Sequence, residues 1–211
     1  VISNIVSTPT NNSVHITWAT DEASSSQVDY GETLSYGSTE SDSNFVTNHS
    51  INISGLSPST TYHFQITSID PSSNSSSSVD LTFTTSARAP NAPTGLSAIS
   101  GDSQATVTFS APASDGGSAI TGYTVTSIPS GGTDTNAGTT SLSHTITGLT
   151  NGTSYTFTVT ATNAVGNSSA SSASNAVTPS TTLPVSISNP VLASDGRTIT
   201  ATVYGGSGTY L

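Results

Sequence analysis

The residues able to do chemistry are few, and their spacing limits what they can do. Four histidines, His15, His49, His63 and His144, are scattered through 211 residues that contain no cysteine and no methionine. A metal centre needs three or four convergent ligands, and none of these histidines lies at ligand spacing from another. Asp21-Glu22 and Asp70 fall where the end loops of a β-domain would lie. No Asp-x-Asp-x-Asp run gathers the oxygens that calcium requires. Serine is abundant, but there is no Gly-x-Ser-x-Gly elbow to present one as a nucleophile. No glycine-rich loop precedes a helical pattern, so no phosphate cradle is expected. The reading is therefore no catalytic residues, no metal ligands and no cofactor, with binding residues left unassigned. Six Asn-x-Ser/Thr sequons, at Asn11, Asn48, Asn52, Asn74, Asn151 and Asn167, are acceptors only in a host that glycosylates such sites.

Charge narrows the partners. Charged residues make up 7% of the chain, Arg88 and Arg197 are its only basic side chains besides histidine, and the formal net charge is −10. A surface without a cationic patch has nothing with which to release counterions from a polyanion. Nucleic acid and insertion into a membrane are excluded as expectations. No apolar run approaches the ~20 residues of a membrane span. The chain opens on Val1 rather than Met, the pattern of a segment cut from a longer precursor. Near absence of trypsin sites suits life outside a cell, so an extracellular or cell-surface location is expected.

The elements that hold these residues are strands. Gly55 to Ile66 reads GLSPSTTYHFQI and recurs as Gly148 to Val159, GLTNGTSYTFTV. In each copy a leucine precedes a tyrosine by six positions, and the tyrosine opens a strict alternation: Tyr62, Phe64, Ile66 and Tyr155, Phe157, Val159. This is the pattern of a corner where the chain passes between two sheets. The leucine plugs the core, and the tyrosine ring packs inside while its hydroxyl meets a backbone group of the turn. The repeat is too long for a solenoid and suits two sandwich domains.

Residues 1–87 form the first unit. Val14, Ile16 and Trp18 alternate on one strand, and Val28 and Tyr30 share a face on the next. Leu34 to Tyr36 suits a short strand, Val46 to Ile53 another, and Val79, Leu81 and Phe83 close the unit. Residues 88–93 are a proline-stiffened linker. Residues 94–179 repeat the plan, with Ala105, Val107 and Phe109 matching Val14, Ile16 and Trp18. Ser130 to Thr139 reads as a glycine-rich mobile turn, and Ala170 to Val177 as the closing strand. By parity His15 and His63 face solvent, whereas His49 and His144 point inward, where a partly buried, hydrogen-bonded histidine is expected. Residues 180–211 are linker and partial β segment: Val185 to Ile187 and Thr198 to Val203 flank a Ser194-Asp195-Gly196 turn. They suit the start of a third domain, a docked hairpin, or a strand lent to a neighbouring subunit.

On these residues both units resemble fibronectin type III domains. Trp18, Tyr30, Leu56, Pro58, Tyr62, Phe64 and Ile66 carry the likeness in the first unit. Pro93, Leu96, Phe109, Tyr123, Val125, Leu149, Gly152, Tyr155 and Phe157 carry it in the second. The second unit is similar to repeats of bacterial secreted and surface proteins. The resemblance implies an all-β chain of two tandem immunoglobulin-like sandwiches, each with a sheet of three strands and a sheet of four, plus the short C-terminal β segment. Phe109 departs from it by standing where the family has tryptophan. No Arg-Gly-Asp triplet supports integrin binding. The function expected is a non-catalytic structural spacer of a surface or filament protein, positioning other domains of the same polypeptide or neighbouring subunits. The alternatives are an adhesion or polysaccharide-binding module, for which Tyr36, Tyr204 and Tyr210 are the spare aromatics, and an accessory part of a secreted hydrolase.

Overall fold

The computed structural model describes residues 1–181 and four strand segments beyond them, Ser186–Ile187, Val191–Leu192, Ile199–Thr200 and Val203–Tyr204. Among the described residues every regular element is a strand. The chain divides into two compact units. One comprises Val1–Ala92, Pro112–Thr121 and Ala161–Ser169; the other comprises Pro93–Ala111, Gly122–Thr160 and Ala170–Leu211.

The first unit contains β1 (Ile2–Pro9), β2 (Ser13–Gly31), β3 (Ser38–Ser54), β4 (Thr61–Ile69), β5 (Ser75–Ser77) and β6 (Leu81–Thr84). Two strands expected from the sequence, around Val14–Trp18 and Gln27–Gly31, are one continuous strand, β2. Its first half pairs with β1 and with the second half of β3; its second half pairs with β4 and with the first half of β3. The change of partner falls where the β2–β3 register shifts, between Ala19 and Ser26. Such irregularities bend a strand and let it serve two layers. The strand expected at Leu34–Tyr36 is instead the β2–β3 turn. There Tyr36 adopts φ +56°, its N–H donates to the Thr33 carbonyl at 2.9 Å, and Leu34 is exposed. Gly31 is obligatory at this turn, because a Cβ would lie 1.5 Å from the Tyr36 carbonyl oxygen.

The core of this unit is the inward parity of its strands: Val14, Ile16, Trp18 and Val28 from β2, Ile51 and Ile53 from β3, Tyr62, Phe64 and Ile66 from β4, Phe83 from β6, and Leu56 at the corner. Each such side chain contributes roughly 1.5–3 kcal/mol by leaving water. Val79, read from the sequence as a member of this core, is 75% exposed. Of the three closing residues, Phe83 is in the core and Leu81 packs against it from β6.

Beyond the linker lie β7 (Thr94–Ser100), β8 (Gln104–Ser110), β9 (Gly122–Ile128), β10 (Thr133–Asp134), β11 (Ser143–Thr147) and β12 (Thr156–Thr162). They form one sheet in the order β10-β11-β8-β7 and a second of β12 with β9. Ala105, Val107, Phe109, Tyr123, Val125, Ile146, Leu149, Tyr155, Phe157 and Val159 are buried. Phe109, in the tryptophan slot, meets Tyr123 edge-on at 5.0 Å and His144 at 5.4 Å. The volume a tryptophan would fill is thus shared among three rings. Both corners form as the spacing requires. Tyr62 and Tyr155 are buried, and their hydroxyl oxygens accept from the N–H of Ser57 at 3.0 Å and of Thr150 at 3.2 Å.

The closing segment, expected as a strand over Ala170–Val177, makes only an isolated bridge, Tyr155↔Val177. It follows β12 in steps of three. The N–H groups of Ser168, Ser171, Ser174 and Val177 donate to the carbonyls of Ala161, Val159, Phe157 and Tyr155. In return the hydroxyls of Ser168, Ser171 and Ser174 accept the N–H groups of Ala161, Val159 and Phe157, each at 3.0 Å. A side-chain oxygen thus replaces the carbonyl of an ordinary ladder, and the N–H groups of Phe157, Val159 and Ala161 are paired. Ser78 does the same for Ile66 in the first unit.

Four further segments are β13 (Ser186–Ile187), β14 (Val191–Leu192), β15 (Ile199–Thr200) and β16 (Val203–Tyr204); β13 pairs with β16 and β14 with β15, both antiparallel. The expected Ser194-Asp195-Gly196 turn and Tyr210 lie outside the described residues.

Candidate functional site

The four histidines and the acidic residues near them are the groups from which a site could be built. His15, at outward parity on β2, is exposed, and its Nε2 lies 2.8 Å from the Ser50 hydroxyl. His49 is on β3 directly opposite Trp18 and only 2% exposed, deeper than the partial burial expected. Its ring stacks on the indole at 4.9 Å, with 4° between the planes. Both ring nitrogens meet hydroxyls, Nδ1 at Ser26 and Nε2 at Thr20, each at 2.8 Å. A hydroxyl can give or take a proton, so these partners suit a neutral imidazole. Burial away from water holds the His49 pKa below the usual histidine value. The Trp18 N–H donates to the Ser68 hydroxyl at 3.1 Å.

Thr20, Ser24 and Ser68 also line a recess of about 190 Å³ whose walls include Asp21, Glu22, Asp70 and Asn74. Asp21 and Glu22, expected in an end loop, lie instead within the continuous strand β2, and they share this recess with Asp70. Asp21 accepts from the Val1 ammonium at 2.5 Å, which keeps its pKa low. Asp70 is consumed locally. It accepts from the Asn74 amide at 2.6 Å and from the backbone N–H groups of Asn74 and Ser72 at 2.8 Å, and its pKa is lowered, the Asn74 side-chain bond being the largest cause. Among the described residues no three histidine or acidic side chains come together as a metal-holding group.

On the outward face of β4, His63 Nδ1 lies 2.8 Å from Asp80 Oδ2, and the Tyr36 hydroxyl donates to Asp80 Oδ1 at 3.1 Å. Desolvation, then the bond to Asp80, raises the Tyr36 pKa. Tyr36 is thus a spare aromatic only in part, since its polar end is bound to its own sheet. Tyr204 and Tyr210 lie outside the residues whose side chains are described.

The remaining histidine makes a fully buried pair. His144 on β11 is 0% exposed, and its Nδ1 lies 2.9 Å from each oxygen of Asp134. Its Nε2 lies 3.1 Å from the Ser141 carbonyl oxygen. The carboxylate also accepts the N–H of Val125 at 2.8 Å and of Asn136 at 3.0 Å. Asp134 sits on β10, inside the Ser130–Thr139 stretch that the sequence suggests is a mobile turn, and its partners His144 and Val125 lie on other strands.

Asn163 is a second residue that sequence reasoning missed. Its amide donates to the carbonyls of Arg88 at 2.8 Å, Asp115 at 2.7 Å and Ser118 at 3.4 Å, while its oxygen accepts from Val165 and Gly166. These bonds tie together segments of the first compact unit.

The halves of the chain match different family models. Residues 91–177 match the Fibronectin type III domain, and residues 2–85 match the Purple acid Phosphatase, N-terminal domain. The latter is the same immunoglobulin-like kind of domain. No curated protein matches the chain.

Proposed function

We propose that this chain is a non-catalytic structural module that holds other domains of its polypeptide, or neighbouring subunits, at a distance on the outside of a cell. One observation carries the reading: its reactive side chains are spent on the fold. His49 is held between two hydroxyls under Trp18, His144 and Asp134 bond each other and the backbone, and Asp70 closes its own loop. Both family models are immunoglobulin-like domains, which supports a scaffolding role. A sparse, acidic, lysine-free surface fits contact with solvent and with other protein modules rather than with polyanions.

The test is unfolding of the chain with and without candidate ligands. A ligand that binds only the native state must raise the midpoint. A spacer keeps its midpoint across a panel of polysaccharides and phosphate monoesters; a saturable rise with any of them overturns the proposal. The match of residues 2–85 favours a second reading, an accessory domain of a hydrolase carried elsewhere in the polypeptide. That reading predicts no phosphomonoesterase activity from this chain and a phosphatase domain in the same gene product.

A further inference from the structure

We propose that Asn151-Gly152 is a latent deamidation site that the folded corner holds closed. It is the only Asn-Gly step in the sequence. Glycine offers the least steric hindrance to attack by its own backbone nitrogen on the preceding carboxamide. In that reaction the Gly152 nitrogen loses its proton and bonds to Cγ of Asn151, Nδ2 leaves as ammonia, and a cyclic imide forms. Water then opens the imide at either carbonyl, leaving aspartate or isoaspartate. One water enters and one ammonia departs, with no oxidant or metal.

The fold opposes each part of this step. The Gly152 N–H, the nucleophile, donates to the Pro179 carbonyl at 2.9 Å. The electrophile is held from both ends: Asn151 Oδ1 accepts the Ser103 N–H at 2.9 Å, and Nδ2 donates to Asp102 Oδ1 at 2.8 Å. These bonds hold the carboxamide against the β7–β8 turn. The Thr150 to Thr153 turn is itself closed by the Thr153 N–H on the Thr150 carbonyl at 3.2 Å, with Gly152 at φ +83°. That φ is the reason for glycine here, since a type II turn needs a positive value at its third residue. The residue that shapes the turn is thus also the one that exposes it chemically. The first unit builds the corresponding turn from Pro58-Ser59, with Ser59 at φ +52°, and carries no such step.

The consequence reaches the corner. Isoaspartate inserts a methylene into the main chain one residue after Thr150, whose N–H the Tyr155 hydroxyl accepts. The experiment holds the full chain at mildly alkaline pH, in buffer and in denaturing urea. Isoaspartate is then scored by isoaspartyl methyltransferase labelling and by mass mapping of the Asn151 peptide. Conversion is expected to be at least about tenfold slower in the folded chain, the equivalent of one retained hydrogen bond. Asp102→Ala should accelerate the folded chain about tenfold, with circular dichroism unchanged. Asp102→Asn, which keeps an acceptor oxygen, should stay near the parent. Equal rates in buffer and urea overturn the proposal, whatever the variants do. So does a folded Asp102→Ala chain that converts no faster than the parent.

Discussion

Removing Asp134 should cost more than removing the histidine it binds. The carboxylate receives three donors, His144 Nδ1 and the N–H groups of Val125 and Asn136, and its side chain is only 5% exposed. Asp134→Ala leaves two backbone donors unpaired and a buried histidine without its partner. Breaking a buried pair in this way costs about 3–5 kcal/mol, and each orphaned donor adds on the order of 1 kcal/mol. His144→Leu is gentler. The carboxylate loses its buried partner, a cost of about 3–5 kcal/mol, but it keeps its two backbone donors, so no N–H is orphaned. The assay is urea unfolding followed by circular dichroism, with Trp18 fluorescence as the internal control. The sole tryptophan lies in the first unit, so its transition should stay in place for both variants. Equal costs, or the reverse order, would refute the donor count on which the argument rests.

Three further outcomes follow from the same bonding. Tyr62→Phe and Tyr155→Phe each leave a backbone N–H, of Ser57 or Thr150, without its hydroxyl acceptor; each should lower stability by about 1–2 kcal/mol in urea titrations. Ser174→Ala removes the acceptor for the buried Phe157 N–H, and should cost about as much although it deletes one atom from an apparently bland serine run. Acid should weaken the first unit through His49. Its pKa is depressed in the fold, so the unfolded chain binds the proton first, and stability falls as pH drops below the unfolded value of about 6.5. The Trp18 fluorescence transition should shift accordingly between neutral pH and pH 5, and His49→Gln should flatten that slope; an unchanged slope in the variant would exclude His49 as its source.

What the sequence made legible was whatever depends on neighbours along the chain. The corner could be read because the leucine, the turn and the tyrosine lie within seven positions, and the observed burial of Leu56, Tyr62, Leu149 and Tyr155 follows from that spacing. Alternation gave the inward faces of β4, β8 and β12 for the same reason. The strand count failed at β2, because a period of two looks the same whether a strand ends or bends. The break between the two expected strands is a pair of register shifts, between Ala19 and Ser24 and between Ser24 and Ser26, in one continuous strand. The closing segment failed for a related reason. Its true period is three, set by serines that lend their hydroxyls to β12, and a search for period two sees only disorder of pattern in Ser168 to Val177.

The histidines show where reading along the chain ends. Parity correctly sent His49 and His144 inward, but parity says nothing about partners. His49 faces two hydroxyls, whereas His144 faces a carboxylate and a backbone carbonyl. The two lie in different registers, His49 opposite Trp18 and His144 opposite Val107, yet each ring packs against the aromatic of its neighbouring core strand. The difference in partners comes from Asp134, ten residues upstream of His144 in a loop that composition alone marks as featureless. A site of this kind is written in the register between β10 and β11, where Asp134 lies opposite Ile146, and register is fixed by the folded sheet rather than by any local run of residues.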